Sequence, residues 1–250
     1  MSDIVAKLRK NYRLGGLSTV VAKGCPYLYN SSIRPRLPQT QTTYNGIPVR
    51  AARWFDSVVP WAPSPERPHY ESGLIDALRR YVTARQTVVI VGGGWGVSAV
   101  VAANLVGDDG SVIVFEGGAK KVEHVRETAL LNDVASRITV HHAVVGNEIS
   151  LNARSDGPRR LTAADLPSCD VLELDCEGAE ISILEDLAVR PAVINVETHG
   201  FLDAPATDVA DRLAALSYKV VSKTVAEQDQ TDLARERDIY VLTAVDVSDK

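Results

Sequence analysis

Cysteine is scarce: Cys25, Cys169 and Cys176 are the whole complement in 250 residues. They are too few and too scattered for a disulfide framework or a Cys-x-x-Cys zinc site, and they suggest a reducing, intracellular setting. Long apolar runs are missing too. No stretch approaches the roughly 20 residues needed to cross a bilayer. At the N-terminus Lys7, Arg9, Lys10 and Arg13 precede an apolar stretch from Leu14 to Ala22, the order found in a signal peptide. That stretch is short and broken by Gly15 and Gly16, and Asp3 to Lys10 reads as an amphipathic helix, so no cleaved leader is expected. The expected location is the cytoplasm. Strong charge of either sign is lacking as well; a net charge of −5 leaves no overall field to draw in nucleic acid or an anionic membrane. No internal repeat is visible.

What the chain has is 45% hydrophobic content over 250 residues, enough for one large core with a small appendage. Thr87 to Ser98 organises it. The run Thr-Val-Val-Ile-Val has no polar break, as expected of a strand buried on both faces of a parallel sheet. Gly92, Gly93, Gly94 and Gly96 then allow unusual backbone angles and close approach of a ligand. Val97 to Val106 follows with small and apolar residues suited to a helix packed on the sheet. Strand, glycine turn and helix together form the ligand-binding corner of a doubly wound α/β fold.

The alternation downstream is regular. Strands are expected at 87–92, 111–116, 137–145, 170–175, 191–197, 217–224 and 237–244, with helices at 97–106, 119–132, 178–188 and 205–216. A further helical stripe over 71–82 leads into the first core strand. The order implies a Rossmann-like, mostly parallel seven-stranded sheet covered on both faces. The last two strands, with no helical pattern between them, are expected to pair antiparallel at the edge. Residues 1–45 differ in character, with Pro26, Pro35, Pro38 and the polar stretch Gln39 to Thr43. They read as a helix and an irregular extension, ahead of a catalytic-type domain over 46–250. Gly46 to Arg53 suits a short edge strand, the place where Pro48 is tolerated.

The glycine corner fails the dinucleotide fingerprint, because the third glycine of Gly-x-Gly-x-x-Gly falls on Val97. It stands as Gly92-x-Gly94-x-Gly96, followed 20 residues later by Glu116 at the end of Val112 to Phe115. A carboxylate there is placed to accept hydrogen bonds from the ribose hydroxyls of an adenosine. S-adenosylmethionine needs no pyrophosphate cradle, and such a loop suits it. Trp95 either packs on the cofactor or fills the corner.

Asp170 to Glu180 begins as a buried strand and ends with four carboxylates in eight positions, Glu173, Asp175, Glu177 and Glu180. Such density is costly unless paired, hydrated or bound to a cation. Ala192 to Gly200 brings Glu197 and His199 to the end of the next strand, and alternate strand residues share a face. His199 is a candidate base, since its pKa lies near neutrality. Asp175 is placed to orient a methionine amino group or an acceptor hydroxyl. Glu177 is a further candidate. Glu180 reads as a first-turn carboxylate that favours the helix dipole. Two carboxylates and an imidazole also suit a divalent cation such as Mg²⁺ or Mn²⁺; a metal-free base is preferred, because no dense oxygen-ligand motif is present. The adjacent His141 and His142 point to opposite faces of a strand and do not share a metal. Arg159-Arg160 reads as a solvated loop pair. Trp54 and Trp61 suit either sugar stacking or packing.

Leu-Glu-Leu-Asp-Cys-Glu-Gly-Ala-Glu over 172–180, Val-Glu-Thr-His over 196–199, and Val-Gly-Gly-Gly-Trp-Gly over 91–96 with Phe115-Glu116 resemble the FkbM family of class I S-adenosylmethionine-dependent methyltransferases. The likeness covers about 87–220, and Asn132 and Ala143 to Gly146 are also similar to family positions. Two departures stand out. The family often has Lys-Ile-Asp where this chain has Glu173-Leu-Asp175, and Phe-Glu-Pro where it has Phe115-Glu116-Gly117. The resemblance implies O-methylation of hydroxyls on sugars or sugar-bearing compounds. The candidate cofactor contacts are Gly92, Gly93, Gly94, Trp95, Gly96, Glu116, Ala143 and Asp175, and the candidate catalytic residues are Asp175, Glu177, Glu197 and His199. The residues alone leave open an NAD-dependent oxidoreductase or epimerase, weakened by the absence of a Tyr-x-x-x-Lys pair, and a non-catalytic nucleotide-binding protein.

Overall fold

A computed structural model describes residues 26–60, 62–146 and 157–248. The expected N-terminal helix, the leader-like segment and Trp61 lie outside the described residues. Chain packing divides the protein into two compact units, Met1–Thr43 with Arg50–Arg67 and Tyr44–Val49 with Pro68–Lys250. Residues 50–67, read from sequence as part of the main domain, thus group with the smaller unit.

Within the smaller unit, polar groups do much of the fastening. Arg34 grips the buried Asp56 through two N–H groups at 2.9 and 2.8 Å, and the Arg53 backbone N–H donates to the same carboxylate at 2.8 Å. Burial pushes the Asp56 carboxyl up, but these hydrogen bonds and the Arg34 charge outweigh it and hold it below its ordinary value. The polar stretch expected to be irregular is instead a strand, β1 (Gln39–Tyr44), paired with β2 (Ile47–Arg53), in a hairpin whose tip, Tyr44–Val49, groups with the larger unit. Asn45 and Gly46 between them both take positive φ, 47° and 78°, the two-residue turn that matches strand twist. In a sheet of two strands every strand is an edge, which accommodates Pro48.

The larger unit runs α1 (Ser72–Tyr81), β3 (Thr87–Val91), α2 (Val97–Val106), β4 (Ser111–Glu116), α3 (Ala119–Leu131), β5 (Ile138–Val145), β6 (Arg159–Leu161), β7 (Val171–Leu174), α4 (Glu180–Glu185), β8 (Val193–Glu197), α5 (Ala206–Ala215), β9 (Tyr218–Val225), α6 (Thr231–Arg237) and β10 (Tyr240–Asp246). Eight strands form one sheet in the order β6-β5-β4-β3-β7-β8-β10-β9. Six run parallel through β8, and β10 is inserted antiparallel between β8 and β9. The doubly wound α/β architecture agrees with the sequence, including the antiparallel pairing of the last two strands. Two details correct it. Arg159 and Arg160 sit in a short eighth strand, not a loop, and α6 occupies the segment read as a polar connection.

The core explains the strand order. β3 and β7 are buried along nearly their whole length, because helices cover both faces. Val89, Val91, Leu172, Leu174, Ile194 and Val196 meet Ile183, Leu184 and Leu213 from α4 and α5. Truncating one such Leu or Ile to Ala typically costs about 2–5 kcal/mol. On the other side α1 packs on α2, β8 and β10, and α2 on α3. No helix among the described residues is long and apolar enough to cross a membrane.

Candidate active site

The parallel register lines up the carboxyl ends of the central strands. Val91 lies level with Phe115 on one side and Leu174 on the other, and Leu174 lies level with Val196. One residue further, Glu116, Gly92, Asp175 and Glu197 therefore form a row along one edge of the sheet.

At Gly92 (φ 101°) a Cβ would stand 1.8 Å from the Asp175 carbonyl oxygen. No side chain fits there, so the strand can leave the sheet only as glycine. Gly94 (φ 50°) is different: its Cβ direction points at the Glu71 Oε1 and Tyr70 hydroxyl, 3.1 and 3.2 Å away. Glu116 fastens the turn. Its buried carboxylate accepts the Gly93 and Gly94 N–H groups at 2.8 and 3.2 Å and the Gly118 N–H at 2.7 Å. Trp95 fills the corner, stacked on His124 with centroids 4.1 Å apart and edge-on to Tyr44 at 5.7 Å.

Across the row, His199 sits in a cage of carboxylates. Its Nδ1 lies 2.8 Å from Glu180 Oε1, while Nε2 faces Asp175 Oδ1 at 3.6 Å and Glu197 Oε1 at 3.8 Å. Side-chain exposure falls from 24% at Asp175 and 13% at Glu197 to 7% at His199 and none at Glu180. Burial drags the His199 pKa down, but the Glu180 hydrogen bond and the Asp175, Glu180 and Glu177 charges outweigh it and raise it above 6.5. Burial, opposed by His199 and reinforced by Glu180 and Glu177, lifts Asp175 to about 6. Burial and the charges of Asp175, Glu71, Glu227 and Glu173 raise Glu197 well above its ordinary value. Asp175, Glu197 and His199 each offer one ligand atom within 4.8 Å of the others, a spacing open to a small cation.

Of the residues nominated from sequence, Asp175, Glu197 and His199 converge, and Glu116 meets the glycine loop. Glu177 stands apart, on an exposed turn, paired with Lys121 at 3.3 Å. Ala143 is buried in the apolar core, one residue beyond the position level with Glu116. His141 stacks on Phe115 and His142 bonds the Gly117 carbonyl, so neither reaches the cluster.

Sequence reasoning missed three groups. Glu180 turns inward to His199, and no local signal separates it from an ordinary first-turn carboxylate. Glu71 accepts the Ser98 hydroxyl at 3.1 Å, and burial together with the Asp175 charge lifts it to about 7. Glu173, level with Asn195 on β8, is fully buried; its Oε2 and both Asn195 amide atoms have no hydrogen-bond partner among the described residues. Burial, then the Glu71 charge, pushes Glu173 to about 8.

No family model matches the chain, and a search of curated proteins finds no relative. Solved structures do match. A S-adenosylmethionine-dependent O-methyltransferase from Thermotoga maritima is 15% identical, with 72% of this chain and 66% of that one covered at a TM-score of 0.50. A provisionally assigned transferase from Pyrococcus horikoshii is 15% identical, with 84% and 72% covered at 0.52. The fold is the Rossmann-like methyltransferase fold. In a methyltransferase fold of this kind, the row from Glu116 to Glu197 lies where open α/β sheets take their ligands, outside the carboxyl ends of the strands.

Proposed function

We propose that this chain is a S-adenosylmethionine-dependent O-methyltransferase, FkbM-like, acting in the cytoplasm on a hydroxyl of a sugar or glycoconjugate. One observation carries the reading: a single strand-end row holds an adenosine-type carboxylate, Glu116, fastened to a glycine loop, and a caged imidazole, His199, three strands away. The motifs shared with the FkbM family support the hydroxyl acceptor. The carboxylates around His199 disfavour a polyanion such as RNA, whose phosphates they repel.

The residues fit the cofactor. Glu116 is buried, fixed and at the correct strand end, although three of its roughly four lone-pair sites already hold loop N–H groups. Gripping two ribose hydroxyls therefore needs one of those loop bonds to give way. Gly94 keeps the approach clear of a Cβ, and the carboxylates of Glu71 and Asp175 suit a positively charged amino or sulfonium group. S-adenosylmethionine, when bound, supplies an electrophilic methyl group on a positively charged sulfur.

The chain's own residues have three tasks. Asp175 and Glu197 orient the acceptor hydroxyl, His199 Nε2 takes up its proton, and the closed strand-end row holds the partners in line. Calorimetric titration tests the cofactor first: S-adenosylmethionine binds and NAD does not. Incubation with labelled S-adenosylmethionine and glycan or lipid extracts then shows whether label enters a hydroxyl. Binding of NAD alone overturns the reading.

A further inference from the structure

Glu180 has no place in the sequence-derived site, yet its side chain is fully buried against the ring of His199. Its Oε2 accepts the Gly178 N–H at 2.9 Å and its Oε1 the Cys176 N–H at 3.3 Å. A carboxylate served by two backbone donors is held as an acceptor. Nδ1 of His199, 2.8 Å from that carboxylate, must then carry hydrogen, since two lone pairs at this distance repel. Nε2 keeps the free lone pair in the neutral ring. The atoms it faces, on Asp175 and Glu197, stand at 3.6 and 3.8 Å, beyond hydrogen-bond reach.

The backbone beneath the ring is anchored independently. His199 and Ala204 exchange N–H···O bonds at 2.9 and 3.2 Å. The Thr198 hydroxyl donates to the Asp238 carbonyl at 2.8 Å and accepts the Tyr240 N–H at 3.0 Å. Phe201 closes the ring's edge at 5.9 Å between centroids. What remains for Glu180 is the ring's tautomer and rotation.

We propose that Glu180 is a positioning residue, which fixes His199 as the Nδ1–H tautomer and thereby presents Nε2 to the acceptor hydroxyl. This rests on the methyltransferase reading. In the step it serves, the acceptor O–H bond breaks, its electron pair stays on oxygen and its proton goes to Nε2. The arrangement matches the physical logic by which a buried carboxylate orients a catalytic histidine, where an amide in its place selects the wrong tautomer.

The test uses Glu180→Gln in the full chain. With its single oxygen held in the Oε2 position by the Gly178 N–H, the shorter of the two backbone bonds, the amide places NH₂ where Oε1 stood, facing Nδ1, and favours the Nε2–H tautomer. Three results are expected: ¹⁵N spectra of labelled histidine show Nδ1–H in the wild type and Nε2–H in the variant; turnover falls by about 10²–10⁴-fold; S-adenosylmethionine affinity stays within about twofold. In a His199→Ala background, Glu180→Gln causes no further loss, because a residue acting through another has nothing left to position. A wild-type Nε2–H tautomer overturns the proposal, as does full turnover in Glu180→Gln or an additive loss in the double variant. Should Glu180→Gln not fold, the wild-type tautomer alone decides. If the wild type binds no S-adenosylmethionine, the methyltransferase reading fails, while the ¹⁵N spectra still confirm or overturn the Glu180 to His199 assignment.

Discussion

In the proposed reaction two residues carry most of the chemistry, and each supports a separate prediction. Glu116 holds three backbone N–H groups of the turns around it, so Glu116→Ala removes a ligand for ribose and loosens the loop that shapes the site. Calorimetry should show S-adenosylmethionine binding weakened by about 1.5–3 kcal/mol, the range for hydrogen bonds to a charged group. Unaltered affinity would remove Glu116 from the cofactor site. As the proposed base His199 would act only as neutral imidazole, and its carboxylate neighbours raise its pKa from the ordinary 6.5. A raised pKa keeps the ring protonated to higher pH, so kcat should climb with pH along a limb centred above 6.5. His199→Ala and Asp175→Ala should cut turnover by about 10²–10⁴-fold, leaving a measurable residue, while cofactor binding persists. Loss of binding in both variants would make the cluster a cofactor site and not a proton-handling one. These residues were nominated from the sequence because each lies at or just beyond a strand end in a compact motif. Glu180 and Glu71 were not. A glutamate at the start of a helix is ordinary, and only the tertiary register turns one onto His199 and the other onto Ser98.

Among the elements, the long periodic ones were legible and the short polar ones were not. α2 and α3 follow from 10 and 13 residues of consistent pattern. α6 has 7 residues with little apolar stripe, β6 has 3, and β1 is Gln-Thr-Gln-Thr-Thr-Tyr without an apolar face; there the Asn45-Gly46 turn was the only usable sign. β7 contains the most unusual choice. Glu173, 1% exposed and at about 8, takes a position buried on both sides of the sheet beside Asn195, whose amide has no partner among the described residues. A carboxyl raised in the folded state binds its proton more tightly there than in the unfolded chain. Stability therefore falls as pH rises from about 4.5 toward 8 and levels off beyond. Glu173→Gln keeps the shape without the charge. Urea melts should show it close to wild type at pH 4 and more stable at pH 8.5, with the slope between them reduced. Equal pH dependence in the two proteins would mean that Glu173 is not the group being charged.

At the scale of the molecule, the sheet order decides where charge collects. Placing β3 between β4 and β7, with β8 beyond, brings Glu116, Asp175 and Glu197 to one edge, although they are up to 81 positions apart in a chain whose net charge is only −5. The alternation of strands and helices predicted that edge, but it could not predict how the carboxylates are neutralised there. Two routes compete. A divalent cation can be held by Asp175, Glu197 and His199, whose ligand atoms lie within 4.8 Å, and it would lower the pKa of a bound hydroxyl. Alternatively, protons do the neutralising. Burial and crowding lift Asp175 to about 6 and raise Glu197 and His199 above their ordinary values, so the cluster holds protons more tightly than free side chains do, and those protons compete with a cation. The imidazole is also committed through Nδ1 to Glu180, which leaves Nε2 as the one atom for which hydroxyl and metal compete. The proton route is the one this charge balance favours. Methyl transfer should accordingly persist after exhaustive treatment with EDTA, and added Mg²⁺ or Mn²⁺ should neither speed it nor shift its pH limb. Activity abolished by EDTA and restored by either ion would overturn the proton route, and would reassign Nε2 from base to metal ligand.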